Sequence, residues 1–290
     1  MEITRKEIDA IRFYQGDVRR RNSEGKIIEN SRQAGVYGIK KAYRTMNCLM
    51  FDDINNEQER IAEENGELEP KILIEIETVI EVFCDIYRVM CKYVSNKSDV
   101  KKGIVYRTER GCSIEALKKG YTNSYMSTSQ KEIPANYFRK KRELIILNIE
   151  YFPNIPHVVF REILGDEYLH KEQQEVLFPP FLEIELEQEK LSQKEKMYRD
   201  IDGKPPCAKY NVKIKNIRKV NTEAESDERK SLNSERNTSA ARILQKLIQK
   251  EKLRDDEKGE YINWKRDVRA VVWKEVKKIE KQYFHIEEIV

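Results

Sequence analysis

An α+β fold follows from three features of the sequence. Apolar residues at helical spacing dominate up to about Tyr93, short β-branched runs separated by turns follow from Gly103 to Ile214, and a polar stretch then leads into two more helical patterns. The chain accordingly divides into an N-terminal helix and polar loop over 1–33, a central α+β domain over 34–219, and a charged linker with a C-terminal helical extension over 220–290.

Thr4-Arg5-Lys6-Glu7 has the pattern of a capping box, and Ile8 and Ile11 follow at helical spacing, so a short amphipathic helix opens the chain. Asp17 to Ser31, with its three consecutive arginines, a glycine and several Asn and Ser residues, reads as a solvated connection. Val36, Ile39, Tyr43, Met46, Leu49 and Met50 mark one face of a helix, and Ile72, Ile76, Val79, Ile80, Phe83, Ile86, Tyr87 and Met90 mark a longer one as packing surface.

After Gly103 the period changes. Ile104-Val105-Tyr106 reads as a strand with Arg107 at its end, Gly120 to Ser129 as an extended segment after a helical piece near Ile114, and Leu144 to Ile149 as a third strand. Val176-Leu177-Phe178 is short, apolar and stopped by Pro179-Pro180, so it reads as a buried strand with Glu175 at its mouth. Phe181 to Leu186 and Tyr210 to Ile214 alternate, which predicts two half-exposed strands pairing across a long charged connection. Val220 to Asn237 is nearly free of apolar residues and reads as a linker. Ala241, Leu244, Leu247 and Ile248 begin one amphipathic helix beyond it, and Tyr261 to Tyr283 a longer one.

Composition narrows the function. The net charge of +4 is small beside 55 basic and 51 acidic side chains, so bulk charge does not demand a polyanionic partner. The lack of a long apolar run and the charged start MEITRKE predict no membrane association and a cytoplasmic protein, or one delivered into a target cytoplasm. The five cysteines are odd in number and without a CxxC pair, and Cys84 and Cys91 sit in an apolar helical stretch as small core residues. With His157, His170 and His285 isolated in sequence, no metal site is expected.

Three elements then fall in order: Tyr106-Arg107 at a strand end, Ser127-Thr128-Ser129 on a later extended segment, and Gln173-Gln174-Glu175 leading into Val176-Leu177-Phe178-Pro179. Together they resemble the mono-ADP-ribosyltransferases of the arginine-serine-glutamate type, the family of clostridial exoenzyme toxins and vertebrate ectoenzymes, over roughly Ala34 to Lys219. The resemblance implies a mixed β-sheet core preceded by helices, NAD as substrate, and no metal. It assigns catalysis to Glu175 with Gln173 and Ser127, and the nucleotide contacts to Arg107, Tyr106, Ser127, Thr128, Ser129 and Phe138. Acceptor recognition falls to Tyr168, His170 and Gln173 in the loop before the glutamate.

The chemistry asks for the same residue types. When nicotinamide leaves NAD the ribose carbon becomes oxocarbenium-like, and a carboxylate stabilises charge that develops mainly in the transition state. The pyrophosphate suits the planar fork of a guanidinium, and small hydroxyls let the nucleotide approach and orient the carboxylate, while Thr128 and Ser129 hold the strand. An ion pair with Glu109 is the competing role for Arg107. Members that modify arginine usually carry Glu where Gln173 stands; an amide hydrogen-bonds another amide or a base edge but is no base toward a guanidinium. The expected acceptor is therefore a protein amide or a nucleic-acid base, with the basic run Arg139 to Arg142 and Lys274, Lys277 and Lys278 leaning toward a polyanion. Tyr137 is a second aromatic beside Phe138 for covering nicotinamide. Such a chain fits an intracellular toxin or a phage-defence effector, with an antitoxin or a delivery subunit as further partner. The alternatives are an NAD glycohydrolase and a non-enzymatic interaction module.

Overall fold

A computed structural model describes residues 2–15, 18–21, 27–31, 47, 49–50, 70–95, 103–109, 114, 117–122, 124–132, 144–152, 154–168, 174–199, 203–217 and 232–284. The chain is α+β, with helices toward both ends and a seven-stranded mixed sheet between them. It divides into two compact units, Tyr93–Val220 and a discontinuous one made of Met1–Lys92 and Asn221–Val290.

In the discontinuous unit the first helix, α1 (Arg5–Gln15), carries the expected reciprocal cap. Glu7 accepts from the Thr4 backbone N–H at 2.7 Å, and the Glu7 N–H donates to Thr4 Oγ1 at 3.3 Å. The long apolar helix is α2 (Ile76–Ser95), preceded by a 3-10 turn over Pro70–Leu73. Lys92 Nζ reaches Glu7 Oε2 at 2.8 Å, with both side chains almost wholly buried. Burial alone would push the Glu7 carboxyl up; the Lys92 ammonium and the Thr4 hydrogen bonds outweigh it and hold the group below the ordinary carboxylate range. Burial also pushes the Cys84 thiol up to about 11 and that of Cys91 up as well, so both are inert core residues at neutral pH.

Two expectations for this unit change. The polar stretch from Asp17 to Ser31 contains an antiparallel pair, β1 (Val18–Arg21) and β2 (Ile27–Ser31), in register Val18↔Ser31. Strand pairing uses backbone groups and tolerates arginine, and Val18, Ile27 and Ile28 are good strand formers around Asn, Ser and Gly turn residues. The linker read through Asn237 ends earlier, because Asn233 caps a helix by accepting from the Arg236 N–H at 2.9 Å. The expected helix from Val36 to Phe51 lies almost wholly outside the described residues.

The other unit holds the sheet, ordered β6-β7-β4-β3-β5-β9-β8, with β5 and β9 parallel and every other pair antiparallel. Its strands are β3 (Gly103–Glu109), β4 (Met126–Ser129), β5 (Leu144–Tyr151), β6 (Val158–Val159), β7 (Glu175–Phe178), β8 (Leu182–Glu189) and β9 (Pro206–Ile217). Short helices α3 (Phe160–Leu164) and α4 (Gln193–Lys196) interrupt them. The strand β6 and helix α3 have no counterpart in the sequence reading, since Val158-Val159-Phe160 is too short to show a period. Pairing of β8 with β9 runs from Leu182↔Ile217 to Glu189↔Lys209, as the alternation predicted. The inner face buries Leu182, Ile184, Val212 and Ile214, while Glu185 and Glu189 meet Lys215 and Lys209 across the strands at 2.8 and 2.7 Å. Strand β7 lies between β6 and β4, and Val176, Leu177 and Phe178 are all fully buried. A strand buried on both faces must be apolar throughout, which explains why no alternation marks it.

The C-terminal helices are α5 (Ser234–Ile248) and α6 (Asp255–Phe284), which pack together as a hairpin. Trp264, 1% exposed, donates from Nε1 to Asn237 Oδ1 at 3.0 Å, which satisfies a buried amide that neither helix satisfies alone. Tyr87 on α2 donates to Glu280 Oε1 on α6 at 2.8 Å, and burial pushes the Glu280 carboxyl above its ordinary range against that bond. No helix among the described residues is long and apolar enough to cross a membrane.

Candidate active site

Adjacent strands β7, β4 and β3 bring three of the singled-out residues together. Glu175 is the first residue of β7, directly opposite Ser129 on β4, and Ser127 lies two residues along β4 on the same face. Ser127 Oγ donates to Glu175 Oε1. The strands β3 and β4 pair through Tyr106↔Ser129 alone, and there the Arg107 guanidinium links them by donating from Nη1 to the Ser127 carbonyl oxygen. Arg107 also donates from Nε to Glu109 on its own strand. Its side chain is 28% exposed and that of Glu109 13%, so this pair is largely desolvated. One guanidinium therefore makes both the ion pair with Glu109 and the bond to the Ser127 carbonyl, using two of its five N–H donors in these contacts.

Glu175 is set in place from both sides. Gln174 has φ of 45°, a left-handed turn into the strand that a non-glycine residue adopts uncommonly, and its carbonyl accepts from the Gln130 N–H at 3.1 Å. The Glu175 N–H donates to Tyr168 Oη at 3.2 Å. Tyr168 follows a 3-10 turn over Gly165–Glu167, is 1% exposed, and meets Phe160 edge to face at 6.2 Å. Tyr168, expected to contact the acceptor, thus has its ring packed in the core and its hydroxyl accepting from the Glu175 backbone. Burial of an aromatic with a satisfied hydroxyl is its usual fate.

Thr128 and Ser129 also turn into the protein. Thr128 Oγ1 donates to the Val176 carbonyl at 2.8 Å, Ser129 Oγ accepts from the Lys131 N–H at 3.0 Å, and both are nearly fully buried. They hold the strand, whereas Ser127, also expected to contact the nucleotide, is half-exposed. Tyr106 is half-buried, with Ser129 opposite it on one side and Asn148 on the other. Phe138, Tyr137, Arg139 to Arg142, His170 and Gln173 lie outside the described residues. Glu109 was legible as a neighbour of Arg107, because residues two apart on a strand share a face, but not as a member of the site.

Arranged in this way, the site offers a carboxylate that accepts from a hydroxyl, and a guanidinium bonded to the carbonyl of the same serine; an oriented carboxylate suits stabilising positive charge. Among the described residues no group of three or more His, Cys, Asp or Glu side chains could hold a metal ion. In comparisons with known proteins, no family model matches the chain and no curated protein matches it.

Proposed function

We propose that this protein transfers ADP-ribose from NAD to a macromolecular acceptor, releasing nicotinamide, and that it belongs with the arginine-serine-glutamate ADP-ribosyltransferases. The observation that carries the reading is the chain of contacts from Arg107 to the Ser127 carbonyl and from Ser127 Oγ to Glu175, which joins three residues distant in sequence. Glu175 faces the ribose and stabilises positive charge at the carbon that loses nicotinamide. Ser127 keeps that carboxylate aimed, and Arg107 takes the pyrophosphate. Gln173 supports an acceptor that presents an amide or a nucleobase edge, since it lacks the charge that a guanidinium target requires.

Arg107→Lys replaces a planar fork with a point charge, so NAD affinity should fall about tenfold, the order of one charge-assisted hydrogen bond. Calorimetry checks this, and unchanged affinity contradicts the phosphate role. The acceptor is read by incubating the protein with labelled NAD and whole-cell lysate, then treating with nuclease or protease. Label removed by nuclease alone identifies a nucleobase, and label removed by protease alone identifies a protein amide. Free ADP-ribose released at a rate that lysate does not change identifies hydrolysis and overturns transfer.

A further inference from the structure

The ion pair between Arg107 and Glu109 is unusual in what it leaves undone. Both residues sit on β3 two positions apart, so the contact ties together no separate elements. Yet it places a carboxylate, 13% exposed, against the Nε edge of the only guanidinium bonded to the Ser127 carbonyl among the described residues. A carboxylate and a phosphate compete for the same donors, because each accepts two N–H bonds from one edge of a guanidinium. On the reading of the site as a diphosphate subsite, any incoming diphosphate meets a resident anion.

We infer that Glu109 is that resident anion: it holds Arg107 in the ligand-free protein, yields part of the guanidinium when a diphosphate binds, and so sets the affinity of the site for NAD. The inference rests on the proposed NAD site and goes beyond it, since nothing in that chemistry calls for a carboxylate there. Glu109 neither touches the reacting carbon nor assists Glu175. Its effect is confined to ligands that carry phosphate.

The experiment compares ADP-ribose and adenosine binding to the wild-type chain, Glu109→Gln and Glu109→Asp, with melting temperatures confirming that each is folded. Glutamine keeps an oxygen that accepts from Nε but removes the charge. Glu109→Gln is expected to bind ADP-ribose roughly three- to tenfold more tightly, the order for removing one charge beside a partly exposed anion. Adenosine binding should not change, and Glu109→Asp should stay near wild type. Weaker or unchanged ADP-ribose binding by Glu109→Gln overturns the inference, as does equal tightening by Glu109→Asp, which would tie the effect to lost contact instead of charge. Absence of ADP-ribose binding by the wild-type chain overturns the reading of the site itself, an outcome distinct from either.

Discussion

Glu175→Gln is expected to lower ADP-ribose transfer by about 10²–10³-fold or more, with the fold and most of the NAD affinity retained. The magnitude is that of removing one preorganised electrostatic group aimed at charge developing in a transition state. Glutamine fills the same volume, and its amide oxygen still accepts from Ser127 Oγ, so the bond that aims the side chain survives. The strand survives too, because the pairing of Glu175 with Ser129 and the N–H donated to Tyr168 Oη involve the backbone at position 175. Loss of the negative charge is the change the variant is chosen to make. Single-turnover release of nicotinamide, measured at saturating NAD, separates this from a binding defect; a near wild-type rate in a folded variant removes Glu175 from the mechanism.

The largest stability effect is expected at Trp264, far in sequence from that chemistry. Trp264→Ala removes a fully buried ring that stacks on Tyr261, with centroids 6.2 Å apart, and should cost about 3–5 kcal/mol. It also strips Asn237 Oδ1 of its donor inside the helical hairpin, which adds the penalty for an unsatisfied buried amide, about 1–3 kcal/mol. Trp264→Phe separates the two contributions, since it keeps most of the apolar area but not the N–H. Urea midpoints should fall in the order wild type, Phe, Ala. An alanine variant as stable as wild type would mean that the hairpin core is not where the unit keeps its stability.

Much of this architecture could be read from the residues because the relevant signals are local. Alternation in Phe181 to Leu186 and Tyr210 to Ile214 names two strands and their buried face, and Pro179-Pro180 marks where β7 stops. Arg107, Ser127 and Glu175 could be picked out because their order and strand contexts resemble those of the arginine-serine-glutamate ADP-ribosyltransferases. What escaped is what depends on partners distant in sequence. The hairpin of β1 and β2 is polar, so no hydrophobic period announces it. Asn237 looks like one more polar linker residue until Trp264 is brought to it. Tyr168 sits in a polar loop whose composition suggests exposure, and only Phe160 and the Glu175 N–H explain why it turns inward.

The discontinuity of the unit that holds both helical ends imposes an order of assembly during synthesis. A chain emerges from the ribosome from its N-terminus, so the seven strands are all available before α6 has been made. Tyr87 then waits 193 residues for Glu280. Closing so long a separation costs more chain entropy than pairing β8 with β9, so the buried bond between Tyr87 and Glu280 is available only after the last helix has been made. In a chain made from its N-terminus, the strands of the sheet can therefore pair before the discontinuous unit has all of its described helices.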